Sequence, residues 1–214
     1  MIISHKHKFI FFAVPKTATH ALRQALREHM GAEDWEQQVL FGRQHLPIPA
    51  IAKLQHGHIS ARQIMPHLEP DVWENYFKFG FVRNPFDRYV STCFFLNREN
   101  RNFGASAKEF MKRALSVPRF RQRILVQPQH LQLTDDAGTL ALDQIGRYET
   151  LQQSYDRICE RIGIPTTELA RKNPSQHAAY TDYYDDELRG IVGEYYSSDL
   201  ELFGYDFAPS EPTN

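Results

Sequence analysis

Hydrophobic residues lie along the 214-residue chain in short runs, separated by segments with helical spacing. Two continuous runs, residues 8–14 (KFIFFAV) and 78–82 (KFGFV), are typical of buried strands, and residues 140–146 form a third strand candidate. Apolar residues at helical spacing predict helices over residues 22–30, 84–96, 106–115, 150–162 and 185–197. Strands alternating with helices predict a single α/β domain over residues 1–214, with a central parallel β-sheet flanked by helices and an acidic tail at about 206–214.

Polar residues at the helix starts indicate how the helices are capped. Thr17 or Thr19 is expected to cap the first helix, whose polar face contains Arg23. Asn84 and Pro85 provide an N-cap and a first-turn proline for the helix that follows the second strand. Loops of this kind lie at the carboxyl ends of parallel strands, where ligands of α/β proteins bind.

The loop after the first strand is expected to bind an anion. It consists of Pro15, Lys16, Thr17, Ala18, Thr19 and His20. A lysine and two hydroxyl residues at a helix start suit phosphate or sulfate, because unpaired N–H groups and the helix dipole favour negative charge. The loop is not a Walker A motif, since no glycine lies between Phe9 and Met30. An ordinary helix cap beside a lysine is the alternative interpretation.

A second candidate anion loop follows the second strand. Arg83 stands at the end of that strand, and Ser91 lies about two turns into the next helix. An arginine side chain can bind a phosphate through two parallel hydrogen bonds. Arg88 is interpreted as a second anion ligand or as an exposed ion-pair partner, with a preference for the latter. Two anion loops on neighbouring strands suit a ligand with phosphate groups at both ends.

Two histidines flank a glycine in the segment His56-Gly57-His58. Glycine allows the backbone to approach a ligand closely, and histidine is the side chain best suited to take a proton near neutral pH. The segment therefore contains a candidate general base, and loop histidines with ordinary hydrogen bonds are the alternative. No third and fourth ligand follow at recognisable spacing, so no metal site is predicted.

Taken together, these motifs resemble those of sulfotransferases that use 3′-phosphoadenylyl sulfate (PAPS). Residues 15–19 look like the 5′-phosphosulfate loop of that family, and the pattern Arg-x-Pro-x-x-Arg-x-x-Ser at 83–91 looks like its 3′-phosphate motif. Residues 147–151 (RYETL) and 199–205 (DLELFGY) resemble segments of the chondroitin and heparan uronosyl 2-O-sulfotransferases. Ala18 stands where many members have glycine, and His20 where a hydroxyl residue is usual.

The resemblance implies a P-loop-like nucleotide-binding fold that transfers a sulfuryl group from PAPS to an acceptor hydroxyl, with a carbohydrate as the expected acceptor. The segment with the two histidines carries the base in the heparan enzymes, which makes His58 the first candidate and His56 the second. Lys16 is expected to stabilise charge during transfer. Lys172 and Ser175 fall in a region that closes over the nucleotide in this family, and they are expected to contact the donor.

The charge distribution narrows the class of partner. The net charge of -1 argues against a nucleic-acid-binding or polybasic membrane protein. Residues 83–123 nevertheless carry a local charge of +7, and residues 180–214 carry -8. Solvated helix faces explain such runs in many proteins, whereas a basic site for an anionic small molecule or glycan is the functional interpretation.

Several other classes are disfavoured. Two cysteines provide neither a disulfide framework nor a zinc site, and the longest early apolar run, residues 9–14, is too short for a signal peptide or a membrane span. We expect a soluble cytoplasmic protein without a transmembrane segment, with a luminal fragment of a Golgi enzyme as the alternative. A nucleotide kinase or other phosphotransferase, or a non-catalytic nucleotide- or glycan-binding module, remain alternative functions.

Overall fold

The computed structural model describes residues 1–39, 44–169 and 179–208. Contacts divide the chain into two compact units. We call the first the sheet unit, formed by residues 1–82 and 130–170, and the second the helical unit, formed by residues 83–129 and 171–214. The expected boundaries of one domain over residues 1–214 stay a prediction.

A five-stranded sheet in the order β3-β1-β2-β4-β5 is the centre of the sheet unit. Its strands are β1 (Ile2–Ser4), β2 (Phe9–Phe12), β3 (Trp35–Glu36), β4 (Phe77–Val82) and β5 (Gln144–Arg147). Strands β2, β4 and β5 run parallel, whereas β1 pairs antiparallel with both β2 and β3. The α/β class and the strands predicted over residues 8–14 and 78–82 are confirmed, whereas only the last part of the strand predicted over 140–146 forms, in β5. The antiparallel edge was not predicted, because strands of three and two residues are too short to show periodicity.

Helices occur in both units. In the sheet unit they are α1 (Thr19–Arg27), α2 (Pro49–Ala52), α3 (Ala61–Ile64), α4 (Pro70–Asn75), α8 (His130–Leu133) and α9 (Leu151–Ile162). In the helical unit they are α5 (Pro85–Leu96), α6 (Phe103–Ala114), α7 (Pro118–Arg121), α10 (Asp186–Tyr195) and α11 (Ser197–Phe203). Turns of 3-10 helix occur at Met65–His67 and Tyr180–Tyr183.

The core of the sheet unit forms where α1 and α9 pack on the sheet. Leu22 and Leu26 of α1 and Ile158 of α9 are fully buried beside the strand residues Phe11 and Phe79. The rings of these two phenylalanines stack with centroids 5.3 Å apart. Burying one such side chain contributes about 1.5–3 kcal/mol. This packing fixes the start of α1 relative to the end of β2, which is where the first candidate loop lies.

A buried ion-pair network links α1 to β3. Arg23 Nη1 lies 2.6 Å from Glu36 Oε1, and Arg27 Nε lies 2.6 Å from Glu36 Oε2. Burial by itself raises the pKa of Glu36, but hydrogen bonds from Arg27 and the charge of Arg23 outweigh it and hold the pKa below its ordinary value. The placement of Arg23 on a polar, outward face is wrong, since this residue is only 5% exposed. It turns inward because Glu36 offers it a buried carboxylate.

The helical unit packs α5, α6 and α10 around a second core. Tyr89, Met111, Leu188 and Val192 are fully buried there. Helix α5 begins as predicted, with the Asn84 side chain accepting a hydrogen bond of 3.0 Å from the Phe86 N–H.

Part of the charge segregation is explained by ion pairs within the helical unit. Lys112 Nζ lies 2.8 Å from Asp185 Oδ2 and 2.6 Å from Glu187 Oε2, and Lys108 Nζ lies 3.9 Å from the same Asp185 oxygen. The basic stretch and the acidic carboxy-terminal segment therefore neutralise each other in part.

Replacing Glu36 with glutamine should destabilise the protein by about 3 kcal/mol, because it leaves the buried Arg23 charge without a counter-charge. The pKa of Glu36 is lower in the folded state, so its contribution is present above the unfolded value of about 4.5 and is lost as the pH falls through the folded pKa. Urea unfolding at pH 7 and at acidic pH measures both effects. The exposed Glu99→Gln is the control, and an equally small change in both variants would contradict the prediction.

Candidate active site

The loop between β2 and α1 has a strained backbone. Lys16 and Ala18 adopt left-handed conformations, with φ of 68° and 60°. A residue other than glycine held in this region costs about 1 kcal/mol or more and is often found at functional sites. Alternating backbone of this kind turns successive N–H groups toward one side and forms an anion-binding concavity. The predicted anion loop therefore has a backbone suited to phosphate or sulfate.

The threonines of this loop do not cap the helix as predicted. Ala18 occupies the N-cap position of α1, and no side-chain hydrogen bond caps this end. Thr17 is buried, and its hydroxyl donates to the Val14 carbonyl at 2.9 Å. Because its hydroxyl hydrogen is used to close the turn, we expect Thr17 to meet an anion through its backbone N–H.

The remaining residues of the loop surround the start of α1. Pro15 is buried, Lys16 and Thr19 are partly exposed, and His20 is exposed on the first turn. The first N–H groups of a helix have no partner within the helix, and the helix dipole adds positive potential there. All six residues predicted for the anion loop thus lie together at the carboxyl end of β2.

His58 is anchored to the same strand end. Its Nδ1 lies 2.7 Å from the Ala13 carbonyl oxygen. A carbonyl oxygen only accepts, so Nδ1 carries the hydrogen and Nε2 carries the lone pair. Burial lowers the pKa of His58 to about 3, with the positive charge of Arg23 acting in the same direction and the bond to Ala13 opposing it. The ring is therefore neutral at physiological pH, with the tautomer that a general base acting through Nε2 requires.

In the second histidine the ring hydrogen lies on the other nitrogen. His56 Nδ1 accepts a hydrogen bond of 3.3 Å from the backbone N–H of His58, so the hydrogen of the neutral ring lies on Nε2. Burial lowers the pKa of His56 as well. With its Nδ1 lone pair engaged, His56 is less suited to accept a proton. The geometry favours His58 as the candidate base.

Gly57 holds the two histidines against neighbouring backbone. A Cβ atom at this position would lie 2.2 Å from the Gln37 carbonyl oxygen and 2.9 Å from Arg23 Nη2. The Gly57 carbonyl accepts a hydrogen bond of 3.0 Å from Arg23 Nη2. The His58 carbonyl in turn accepts one of 2.9 Å from Nε2 of the buried Gln132, in α8. Sequence reasoning missed both supports, because no local pattern links Arg23 or Gln132 to a segment 34 or 74 residues away.

In the helical unit, the second motif is built on the start of α5. Arg83 is 4% exposed, and its Nε and Nη2 bind the Asp87 carboxylate at 2.7 and 2.9 Å. Ser91 lies one turn further than Asp87 along α5 and is buried. A phosphate bound here would share the Arg83 guanidinium with Asp87, a partner that the sequence motif did not reveal.

Arg88 has a structural position in the helical unit. It is 1% exposed, and its Nη2 donates to the carbonyls of Leu125 and Gln127 at 3.2 and 2.9 Å. Its guanidinium carbon also lies 5.9 Å from the centre of the Tyr196 ring. The preferred interpretation of Arg88 as an exposed ion-pair partner is therefore wrong.

Lys172 and Ser175 lie outside the described residues. Within residues 1–39, 44–169 and 179–208, no group of three or more histidine, cysteine, aspartate or glutamate side chains is arranged to hold a metal ion. In the same part of the chain, none of the helices has the length and apolar character needed to cross a membrane.

Comparison with known proteins gives one match that spans almost the whole chain. The model of the sulfotransferase family matches residues 1–206. An uncharacterized protein from Archaeoglobus fulgidus is 29% identical over 101 residues, which cover 44% of this chain and 73% of that protein. No solved structure matches the chain.

Replacing Gly57 with alanine should destabilise the protein by at least about 2 kcal/mol, because the new Cβ would overlap the Gln37 carbonyl. Gly104→Ala is the matched control, since a Cβ there meets nothing within 4 Å, and alanine in a helix stabilises by up to about 1 kcal/mol. Chemical denaturation of both variants provides the measurement. Equal stabilities for the two variants would show that the turn accepts a side chain.

The His58 ring should stay neutral in the folded protein across pH 5 to 8, the range in which histidine ordinarily titrates. Between the folded pKa of about 3 and the unfolded value of 6.5, only the unfolded chain binds this proton, so stability should fall as the pH falls through that window. Two-dimensional NMR of the imidazole C–H shifts, assigned with a His58→Asn variant, follows the titration. A His58 midpoint near 6.5 would contradict this description of the site.

Proposed function

The chain belongs to the sulfotransferase family, and on that premise we propose that it transfers a sulfuryl group from PAPS to a carbohydrate hydroxyl, with His58 as the general base. Family membership supports sulfotransferase activity in general. The donor, the acceptor and the base are our proposal, and each rests on different residues.

One contact supports this proposal most directly. The 2.7 Å hydrogen bond from His58 Nδ1 to the Ala13 carbonyl ties a neutral imidazole to the strand that leads into the anion loop at residues 15–18. A base and an anion-binding loop at one strand end are the two parts that group transfer from an anionic donor requires. A non-catalytic binding module would need only the loop.

The residues that we assign to the donor follow the two motifs. We assign the 5′-phosphosulfate to the backbone of residues 15–20, and the 3′-phosphate to Arg83 and Ser91. Lys172 and Ser175 are further donor contacts by resemblance to the family. When bound, PAPS supplies an activated sulfuryl group attached to a good leaving group. The left-handed Lys16 and Ala18 and the nearby start of α1 fit the anionic end of such a molecule.

His58 supplies the base for the acceptor. In our proposal its Nε2 lone pair takes the proton of the acceptor hydroxyl as the hydroxyl oxygen becomes the nucleophile. A pKa of about 3 in the free protein makes the ring a weak base. Binding an anionic donor beside the ring should raise this pKa, because a nearby negative charge favours the imidazolium. The base would then be strengthened when the donor is present.

Lys16 supplies mobile positive charge in the same loop. Transfer increases the negative charge on the leaving phosphate, and positioned cations and N–H groups lower the barrier most where charge develops. The lysine side chain is flexible, so it can follow that charge, while the strained backbone of the loop holds the N–H groups in place.

The proposal of a carbohydrate acceptor rests mainly on the resemblance of the motifs at residues 147–151 and 199–205. Arg119, Arg121 and Arg123 add a physical argument, because all three are exposed on or just after α7. Lys108 and Lys112, by contrast, are engaged by acidic residues of the same unit. The exposed arginines would favour an acceptor that is itself anionic.

Replacing His58 with alanine should lower sulfate transfer by at least about a hundredfold, the usual loss when a general base is removed. Affinity for adenosine 3′,5′-bisphosphate should change by less than about twofold. Transfer from PAPS with radiolabelled sulfate, screened over glycans, lipids and small alcohols, measures the first value, and calorimetry measures the second. The exposed His67→Ala serves as the matched control.

Three outcomes would overturn parts of this proposal. Unchanged transfer by the His58→Ala variant would remove His58 as the base. Binding of adenosine 3′,5′-bisphosphate by the wild type without transfer to any acceptor would favour a binding module. Stabilisation by ATP with Mg²⁺ alone would favour a phosphotransferase.

A further inference from the structure

The carboxy-terminal segment that resembles family members, residues 199–205, begins with a fully buried carboxylate. Asp199 lies in α11, and its Oδ2 accepts a hydrogen bond of 2.7 Å from the backbone N–H of Gln129. The same oxygen lies 3.4 Å from Gln129 Nε2. A buried carboxylate is costly unless it is well bonded. Its place in the fold is thus tied to Gln129.

The Gln129 side chain bonds both the N–H and the carbonyl of the Arg83 backbone. Its side-chain oxygen accepts from the Arg83 N–H at 2.9 Å, and its side-chain nitrogen donates to the Arg83 carbonyl at 2.9 Å. A glutamine amide that pairs with both groups of one residue acts as a neighbouring strand would. Gln129 is itself fully buried.

The side chain of Arg83 is held separately by Asp87, through two hydrogen bonds. Gln129 thus holds the backbone of Arg83 with the buried Asp199 behind it, and the partly exposed Asp87 holds the side chain; all four residues lie in the helical unit. Buried polar networks whose members are satisfied hold side chains rigidly and select one arrangement. Such preorganisation increases affinity, because the ordering cost is met before the ligand binds.

We propose that Gln129 and Asp199 are positioning residues that aim Arg83 at the 3′-phosphate of the donor nucleotide. This inference rests on the proposed function, in which Arg83 recognises that phosphate. Gln129 acts directly on the Arg83 backbone, and Asp199 acts through Gln129. Neither residue is expected to touch the nucleotide.

A purely structural role for this network makes a different prediction, and two ligands separate the two roles. Adenosine 3′,5′-bisphosphate and adenosine 5′-phosphate differ only in the 3′-phosphate. A general loss of folding or of nucleotide binding lowers both affinities equally. A misaimed Arg83 lowers only the affinity for the bisphosphate. The dissociation constant of adenosine 5′-phosphate divided by that of the bisphosphate therefore reports on the positioning of Arg83.

Gln129→Ala should reduce this ratio by about tenfold, because it would weaken the hydrogen bond between the Arg83 side chain and the 3′-phosphate. Both of these groups are charged, and the loss of such a bond accounts for a change of this size. The dissociation constant of adenosine 5′-phosphate should stay within about twofold of wild type. Asp199→Asn should give a smaller reduction of the same kind. Gln129→Met keeps most of the side-chain volume but removes both hydrogen bonds to the Arg83 backbone, so it should reduce the ratio as alanine does and provides a second variant if alanine prevents folding.

Thr92→Val is the matched control. Thr92 is also a buried residue of the helical unit, and its hydroxyl bonds the Leu125 carbonyl at 3.3 Å without contacting Arg83. The ratio of dissociation constants for the Thr92→Val variant, measured by calorimetry with both nucleotides, should equal that of wild type. An unchanged ratio in every Gln129 and Asp199 variant, beside a clear wild-type preference for the bisphosphate, would overturn the positioning role. A wild type without that preference would instead contradict the proposed function.

Discussion

The candidate site of the sheet unit depends on the hydrogen bonds of the buried Arg23 guanidinium. It bonds the Glu36 carboxylate of β3 and the Gly57 carbonyl between the two histidines. Because removing one partner of a buried charge is strongly destabilising, Arg23 links these elements energetically. Arg23 lies one turn after the first residue of α1, so it also ties the histidine segment to the helix that begins at the anion loop. The candidate base and the candidate anion loop are therefore linked through one side chain.

Glutamine side chains play an equivalent role for both candidate motifs. Gln132 bonds the His58 carbonyl in the sheet unit, and Gln129 bonds both backbone groups of Arg83 in the helical unit. Only three positions separate these two glutamines in the sequence. In each case the glutamine bonds the backbone of the candidate residue and not its side chain. An amide is suited to this because it donates and accepts without adding charge beside an anion site.

The sequence predicted the elements whose signals are local. Continuous apolar runs gave β2 and β4, and Asn84 with Pro85 gave the start of α5. The supports of the site could not be predicted in this way, since Arg23, Gln129 and Gln132 bond partners that are 34 to 74 residues away. Periodicity even misplaced Arg23, because a polar residue on a helix is expected outside unless its buried partner is known. The cap assigned to Thr17 or Thr19 failed for a related reason, as the left-handed Ala18 takes the N-cap position itself.

Ala18 also shows that the candidate anion loop reaches a left-handed conformation without glycine. Glycine adopts left-handed backbone at little cost, and Ala18 nevertheless has φ of 60°. The anion site of such a loop consists of backbone N–H groups, so the conformation rather than the side chain determines binding. Alanine makes that conformation more costly in the folded state. Packing of α1 on the sheet and the bond from Thr17 to Val14 hold the two ends of the loop in this conformation. The strained loop thus follows directly on the strand end to which His58 is bonded.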